Sequence, residues 1–164
     1  MSHYRLRYIS EICEDIKDHL EALREDPEDS GSAIVFRDVQ IHRRTQYTQL
    51  ASVISNCAEF PAAIIIPGAA DIPKMSAVQD ARQAQFSVFV VGPAYGEYGE
   101  ETLDTHDMAD LVVLSLQPTS DAPANPKVIN YVVYEPTGHT PMEVVEEQDC
   151  IECTIQTFDT MRTR

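Results

Sequence analysis

The sequence has 164 residues and a formal net charge of −15, from 27 acidic and 12 basic side chains. This length predicts one domain spanning residues 1–164, and a hydrophobic content of 43% argues against a chain that is disordered throughout. The acidic balance argues against a surface that binds nucleic acid or an anionic membrane, because both require lysine and arginine to neutralise phosphates. We also expect neither a membrane span nor a signal peptide, because no apolar run has the necessary length or position.

A helical pattern covers residues 4–24. Apolar side chains recur there at spacings of three and four residues, and acidic side chains occupy the other side. Asp26-Pro27 is predicted to end this amphipathic helix. Residues 33–36 and 39–41 then predict a strand that bends between them.

The middle of the chain predicts a short helix followed by two strands. Apolar residues at helical spacing indicate the helix over residues 47–58, and the apolar run at 61–66 predicts a strand buried on both faces. Residues 67–80 contain two prolines and a glycine without periodicity, which predicts a long loop. Residues 82–92 alternate between apolar and mostly polar side chains, so we interpret them as the central strand of a sheet.

The second half of the chain predicts one long helix and the closing strands. Residues 92–99 predict an extended turn, residues 100–116 a helix, and residues 118–126 a linker rich in proline. Residues 127–134 predict a strand, and residues 135–141 predict a turn.

The last segments complete an α+β fold. Residues 142–145 predict a short strand, and the alternation over residues 149–158 predicts a half-buried strand. Because short turns connect these late strands, they should pair antiparallel. The expected fold is a mixed, mostly antiparallel sheet, with the N-terminal helix and a second long helix packed mainly on one face.

The four cysteines do not form a pattern typical of a metal or redox centre. Cys150 and Cys153 make a CxxC pair, but an odd spacing within an alternating strand directs the two thiols to opposite faces. We therefore expect one of these thiols in the core and the other facing outward. With Cys13 and Cys57, they are predicted to be reduced, buried thiols.

Asp104, His106, Asp107 and Asp110 carry groups that could bind a metal or share a proton. Because the same helix needs its other side for the core, we interpret this group as a solvated face. His139 is predicted to make a local hydrogen bond within a turn.

The glycines at 92, 96 and 99 follow a strand, but their GxxxGxxG spacing and the neighbouring glutamates do not suit a phosphate. We predict a protein that is not an enzyme, with no catalytic residue, cofactor or metal.

Four stretches together resemble the tail terminator, or tail completion, proteins of long-tailed bacteriophages. The stretches are RYISEICEDIKDHLEAL, PAAIIIPG, QFSVFVVG with the following helix that ends ADLVVLSL, and VINYVVYEPTGHTPMEVVEEQDCIECTIQTF. They cover most of the chain as a pattern of elements, without a diagnostic motif. The resemblance implies an amphipathic N-terminal helix, a mixed sheet and a helix before the closing strands.

The resemblance also implies a structural virion protein that forms a hexameric ring, caps the tail tube and joins it to the head or neck. The implied partners are the tail tube protein, a head-completion or neck protein and the tail sheath, with genomic DNA only passing through the channel. Assembly would take place in the cytoplasm of the bacterial host. An acidic ring suits such a channel, because a basic lining would hold the genome.

Two regions are candidates for contacts between subunits, since a ring requires a heterologous, closing interface. One is the basic corner, formed by His42, Arg43 and Arg44, which could pair with an acidic face of a neighbour or be a solvated cluster. The other is the predicted loop after residue 66. The candidate residues are His42, Arg43, Arg44, Pro67, Gly68, Asp71, Ile72, Pro73, Lys74 and Met75.

Two alternatives remain open. Another head–tail connector or neck adaptor would have different ring partners and a twelve-fold ring. A small cytoplasmic enzyme or ligand-binding domain would need a concave pocket with convergent polar groups, for which residues 92–99 and 104–110 are the candidates.

Overall fold

The computed structural model describes residues 8–26, 28–42, 50–71, 79–92, 103–117, 127–129, 132–142 and 148–162. Within these ranges the chain forms three helices and six strands, and no helix there is long and apolar enough to cross a membrane. The elements in chain order are α1 (Ile9–Glu21), β1 (Asp38–Ile41), α2 (Leu50–Ser55), β2 (Ala62–Asp71), β3 (Gln79–Gly92), α3 (Thr105–Ser115), β4 (Lys127–Ile129), β5 (Val132–Pro141) and β6 (Asp149–Arg162).

The strands form one sheet in the order β1-β2-β3-β6-β5-β4. β1 and β2 are parallel, and every other neighbouring pair is antiparallel. The predicted α+β architecture with a mixed, mostly antiparallel sheet is therefore confirmed. β3 and β6, each 14 residues long, form the centre of the sheet and pair along their whole length.

The predicted central strand is confirmed, and its alternation sets the two faces of the sheet. Phe86, Val88 and Val90 of β3 are buried, whereas Gln85 is exposed and Phe89 is only partly buried. α1 and α3 pack on the face that carries Phe86, because their apolar side chains belong to the same core cluster. This burial is worth roughly 1.5–3 kcal/mol for each large aliphatic side chain.

The opposite face carries a smaller core beneath α2. Val53 and Ile54 of this short helix are buried against Ile64, Val91 and Cys150. β2 is therefore buried on both faces over its first residues, as predicted, and Ala62, Ala63, Ile64 and Ile65 are completely buried. The two longer helices lie on one face and the short helix lies on the other.

α1 and α3 are both shorter than predicted within the described ranges. α1 ends at Glu21 with Ala22 as its C-cap, and α3 begins after Asp104. Asp104 is the N-cap of α3, because its carboxylate accepts a hydrogen bond from the backbone N–H of Asp107 at 2.8 Å. The two helices are linked by a contact of 2.9 Å between His19 Nε2 and Ser115 Oγ.

Residues 33–36 do not form the predicted strand. Instead they lie against the end of α1, where Val35 N–H donates to the Leu23 carbonyl at 2.9 Å and Arg24 forms an isolated bridge with Ile34. Val35 and Phe36 are nevertheless buried, which explains their apolar character. The strand begins only at Asp38.

The prediction of a long loop over residues 67–80 is wrong at both ends. β2 continues to Asp71 and β3 already begins at Gln79, while residues 72–78 lie outside the described part. Pro67 is tolerated in β2 because β1 ends opposite Ile65, so the missing proline N–H is not needed for pairing on that side. The irregularity appears instead as a bulge between Pro67 and Ala70.

The predicted strand over residues 127–134 is two strands, and the predicted turn over 135–141 is part of β5. β4 and β5 pair antiparallel, with Ile129 opposite Val132. Pro136 and Gly138 lie at a bulge in the pairing with β6, and Gly138 has φ of 134°, a conformation that favours glycine. Met142 is not in a strand, and residues 143–147 lie outside the described part. The predicted turn from residue 93 and the linker at 118–126 also lie outside it.

Candidate assembly surface

The two predicted contact regions meet along one edge of the sheet. His42 N–H donates to the Ile65 carbonyl at 2.9 Å, so the end of the basic corner lies beside β2, two residues before Pro67. Gly68 is exposed, and Asp71 is the last residue of β2. The other predicted contact residues, Arg43, Arg44, Ile72, Pro73, Lys74 and Met75, lie outside the described part.

Polar contacts hold β1 in place along this edge. Gln40 Nε2 donates to Asp38 Oδ2 at 2.8 Å, and His42 Nε2 lies 3.0 Å from Gln40 Oε1. Asp38 Oδ2 also accepts a hydrogen bond from Ala58 N–H at 2.9 Å, which connects β1 to the segment after α2. The alternation of β1 thus places three polar side chains in one connected row.

Much of this edge has no strand beside it among the described residues. In the described ranges β1 pairs with β2 residues Ala62 to Ile65. Of residues 66–71, those at 66, 67, 70 and 71 pair with β3 alone, and those at 68 and 69 lie in the bulge. Gly68, Ala69 and Ala70 within this stretch are exposed. We call residues 66–71 the open β2 stretch.

The opposite edge of the sheet has the same kind of opening. β4 pairs only with β5 residues Val132 to Tyr134, so residues 135–141 pair with β6 alone in the part of the chain that is described. We call residues 135–141 the open β5 stretch. Sequence reasoning missed it because proline and glycine there indicated a turn. The residues 135–141, EPTGHTP, show no alternation of apolar and polar side chains that could have indicated a strand.

The strand registers align residues of neighbouring strands in rows across the sheet. We call the position of a row along the strand direction its height, and we name each height by the β6 residue in that row. β1 occupies the heights of Cys150 to Cys153, and β4 occupies those of Thr157 to Asp159. Neither short strand reaches the height of Ile155. Both Pro67, through Phe86, and Pro136 are in register with this residue.

The acidic group on α3 serves structural contacts. Asp104 is buried as the N-cap, whereas His106 and Asp107 are exposed. His139 Nε2 donates to Asp110 Oδ1 at 2.8 Å, so the prediction of a local turn contact for His139 is wrong. This hydrogen bond instead connects β5 to α3. In the described ranges no cluster of three or more histidine, cysteine and acidic side chains could hold a metal.

The CxxC pair does point to opposite faces, but the expectation that one thiol faces outward is wrong. Cys153 lies under α3, with Sγ 3.8 Å from the Ala109 carbonyl, and Cys150 is buried in the small core under α2. Burial, with nearby acidic groups as a second cause, raises the pKa of each thiol to about 12. Neither thiol is therefore set up as a nucleophile or a metal ligand at neutral pH. Cys13 is also buried, and Cys57 is half-buried.

One open cleft of about 650 Å³ lies between the segment after α1 and the segment after α2. Ile34, Phe60 and Met108 give it apolar walls, and Glu25, Arg37 and Glu59 stand around it with charges of both signs. Of the candidate at residues 104–110, Met108 lines this cleft. Residues 93–99 of the other candidate are outside the described part.

The exposed side of α1 is acidic. Glu14, Asp18 and Glu21 are exposed, and Lys17 Nζ lies 3.7 Å from Glu21 Oε1. A solvent-exposed pair of this kind stabilises by roughly 0–1 kcal/mol, so it leaves this side predominantly negative. In the comparisons with protein-family models and with curated proteins, nothing matches this chain.

Proposed function

We propose that this protein is a structural component of a phage virion, a subunit of the hexameric ring that terminates the tail tube and joins it to the head or neck. The observation that carries the proposal is the order and packing of the elements. An amphipathic helix opens the described chain, a mixed sheet follows, and α3 precedes the closing strands on the same face as α1. This is the arrangement that the sequence resemblance implies.

The distribution of charge supports a ring through which DNA passes. The formal net charge is −15, and the exposed side of α1 carries Glu14, Asp18 and Glu21. A negative wall repels phosphate and lets a duplex move, whereas a basic wall would release counterions and bind it. The tail tube protein and a head-completion or neck protein are the proposed partners, with the tail sheath as a further one.

The described residues with reactive groups also suit a structural role. Asp104 caps a helix, Asp110 binds His139, and Cys150 and Cys153 are buried thiols with raised pKa values. Each of these groups satisfies a fold contact, so none is held ready for chemistry. We therefore propose a binding and assembly function, without catalysis.

The test is the stoichiometry of the assembled protein. We expect native mass measurements on the purified chain, alone and with isolated tail tubes, to give six times the 18.4-kDa chain mass. Cryo-electron microscopy should show a six-fold ring at the head-proximal end of the tubes. A twelve-fold ring would favour the neck adaptor, and a monomer that never binds tubes would contradict the proposal.

A charge variant tests the basic corner in the same assay. His42→Asp should lower the assembled fraction if this corner meets an acidic face of the neighbour, because it places a negative charge against that face. Ser52→Asp is the matched control, since Ser52 is exposed and lies on α2, the element that follows β1 in the chain. Equal assembled fractions of the two variants would contradict a role of the basic corner in the interface.

A further inference from the structure

We propose that neighbouring copies in the ring join through opposite edges of their sheets. β1 of the first copy lies beside the open β5 stretch of the second copy. β4 of the second copy lies beside the open β2 stretch of the first copy. The inference rests on the proposed ring and names the contact that closes it. It follows from the shapes of the two sheet edges and not from any single residue.

The two edges are complementary in outline. One edge carries β1 at the heights of Cys150 to Cys153, and below it no described strand lies on the outer side of residues 66–71. The other edge carries β4 at the heights of Thr157 to Asp159, and above it no strand in the described ranges lies on the outer side of residues 135–141. If two copies are aligned at equal height, β1 of one copy faces the open β5 stretch of the other, and β4 of that other copy faces the open β2 stretch.

The strand directions permit this pairing. β1 runs parallel to β2, and β5 runs opposite to β2, so β1 would meet the neighbour's β5 antiparallel. β4 runs in the same direction as β2 and would meet it parallel. An exposed row of backbone N–H and C=O groups is a template for such strand addition.

The two prolines occupy the middle one of the three heights, Thr154 to Gln156, at which neither short strand would be present. Pro67 and Pro136 are both in register with Ile155, between the end of β1 and the start of β4. Proline lacks the N–H that edge pairing needs, so it belongs where an edge stays unpaired. Their common position blocks pairing between the heights of β1 and β4. A third proline, Pro141, lies at the height of Ile151, so β1 would pair with the open β5 stretch at the heights of Glu152 and Cys153.

One side chain is also suited to burial at this contact. Val128, at the centre of β4, is 52% exposed, and the open β2 stretch of the adjacent copy would remove part of this apolar surface from water. A heterologous contact of this kind closes into a ring when the rotation permits it.

Engineered cysteines test the register directly. Gln40 and Thr140 share the height of Glu152, so in the proposed contact they are opposite each other on adjacent copies. In a Cys57→Ser background, the variant with Gln40→Cys and Thr140→Cys should form disulfides between copies under mild oxidation. Residues directly opposite on paired strands are about 4.5–5.5 Å apart at Cα, which a disulfide can span.

The control replaces Thr140→Cys by Glu135→Cys. Glu135 lies at the height of Gln156, four rows from Glu152, which corresponds to about 13 Å along the strand and is far beyond the reach of a disulfide. We expect the first variant to give a covalent ladder that ends at six chains and the control to give at least tenfold less cross-linked product. Both variants should keep the melting temperature of the Cys57→Ser parent within a few degrees.

The outcomes separate this inference from the proposed function. A six-fold ring by mass without the Gln40–Thr140 cross-link would overturn edge pairing and leave the ring. Cross-links that continue beyond six chains would support edge pairing and contradict the closed ring. A chain with neither ring nor cross-link would contradict both.

A second pair of variants probes the backbone of β4 without new cysteines. Since Ile129 is opposite Val132 across a two-residue connection, Val128 directs its N–H away from β5. Val128→Pro removes that outward donor, and Val128→Thr keeps it with a side chain of similar shape. We expect only the proline variant to reduce the assembled fraction, by tenfold or more. Equal assembly of the two would contradict the pairing of β4.

Discussion

Cys150 and Cys153 lie three residues apart on β6 and are buried on opposite faces of the sheet. The sheet therefore separates two apolar cores, a large one under α1 and α3 and a small one under α2. Both cores contribute to stability, although only the first was expected from the long helices.

Serine substitutions should reveal both cores. Cys150→Ser and Cys153→Ser should each lower the free energy of unfolding by about 1–3 kcal/mol, because a hydroxyl is costlier than a thiol to bury in an apolar site. Cys57→Ser, at a half-buried position, should lower it by less than about 1 kcal/mol. Denaturant titration measures all three, and a Cys150→Ser variant as stable as the parent would contradict the core beneath α2.

The same burial should suppress thiol reactivity. The pKa of Cys57 is raised to about 11 and those of Cys150 and Cys153 to about 12, so thiolate is scarce at pH 8. In the folded protein we expect these three thiols to react with an aromatic disulfide reagent at least tenfold more slowly than a free cysteine. In denaturant all four cysteines of the sequence should react at once. A rapidly reacting native thiol, traced by peptide mapping to Cys150 or Cys153, would be inconsistent with this packing.

His19 should make stability fall below neutral pH. Burial, and secondly the positive charge of Lys127, lowers its pKa from the ordinary value of 6.5. Below pH 6.5 His19 binds a proton in the unfolded chain but not in the folded chain. The free energy of unfolding therefore decreases as the pH falls from 6.5 to the lowered pKa of the folded state. His19→Gln removes this titration and leaves an amide that can contact Ser115.

The measurement is the melting temperature of both proteins between pH 8 and pH 5. Many carboxylates also titrate toward the acidic end, so the difference between the parent and His19→Gln isolates the histidine. We expect His19→Gln to gain relative to the parent as the pH falls through 6.5. A constant difference across this range would contradict the lowered pKa.

Asp104 should contribute to stability as a helix cap. Asp104→Ala removes the acceptor for Asp107 N–H and should cost about 1 kcal/mol of unfolding free energy, within the usual range of roughly 0.5–2. Asp104→Asn keeps an oxygen acceptor and should lose much less. Thermal unfolding followed by circular dichroism measures both. If the alanine and asparagine variants melted together, the cap would not be the role of this side chain.

The parts of the fold that the sequence predicted well are those with long, regular patterns. β3 and β6 alternate over many residues, and α1 repeats at helical spacing, so local periodicity was enough. The errors fall where Pro67, Pro136 and Gly138 interrupt extended chain. These residues resemble turn signals. Pro67 and Pro136, however, lie at bulges in edge-side strands where a backbone N–H is not needed, and Gly138 lies at a bulge where φ is positive.

The candidate surface was predictable only in part. The basic cluster at residues 42–44 and the segment without periodicity after Ile66 are visible in the sequence. Their meeting at one edge depends on the parallel pairing of β1 with β2, a non-local contact that no spacing reports. The open β5 stretch likewise follows from how few residues of β4 pair with β5, which only the register reveals.

The central position of β6 has a consequence for the order of folding. β3 borders β2 on one side, but its other partner is made from residues 149–162, after α3, β4 and β5 have all been synthesised. β5 also pairs with β6, so this pairing likewise forms only after β6 has been synthesised. Contacts between segments so distant in sequence slow folding, since a long loop must close before they form. During that delay the growing chain presents two unpaired strand edges, which are sites of aggregation until β6 has been synthesised.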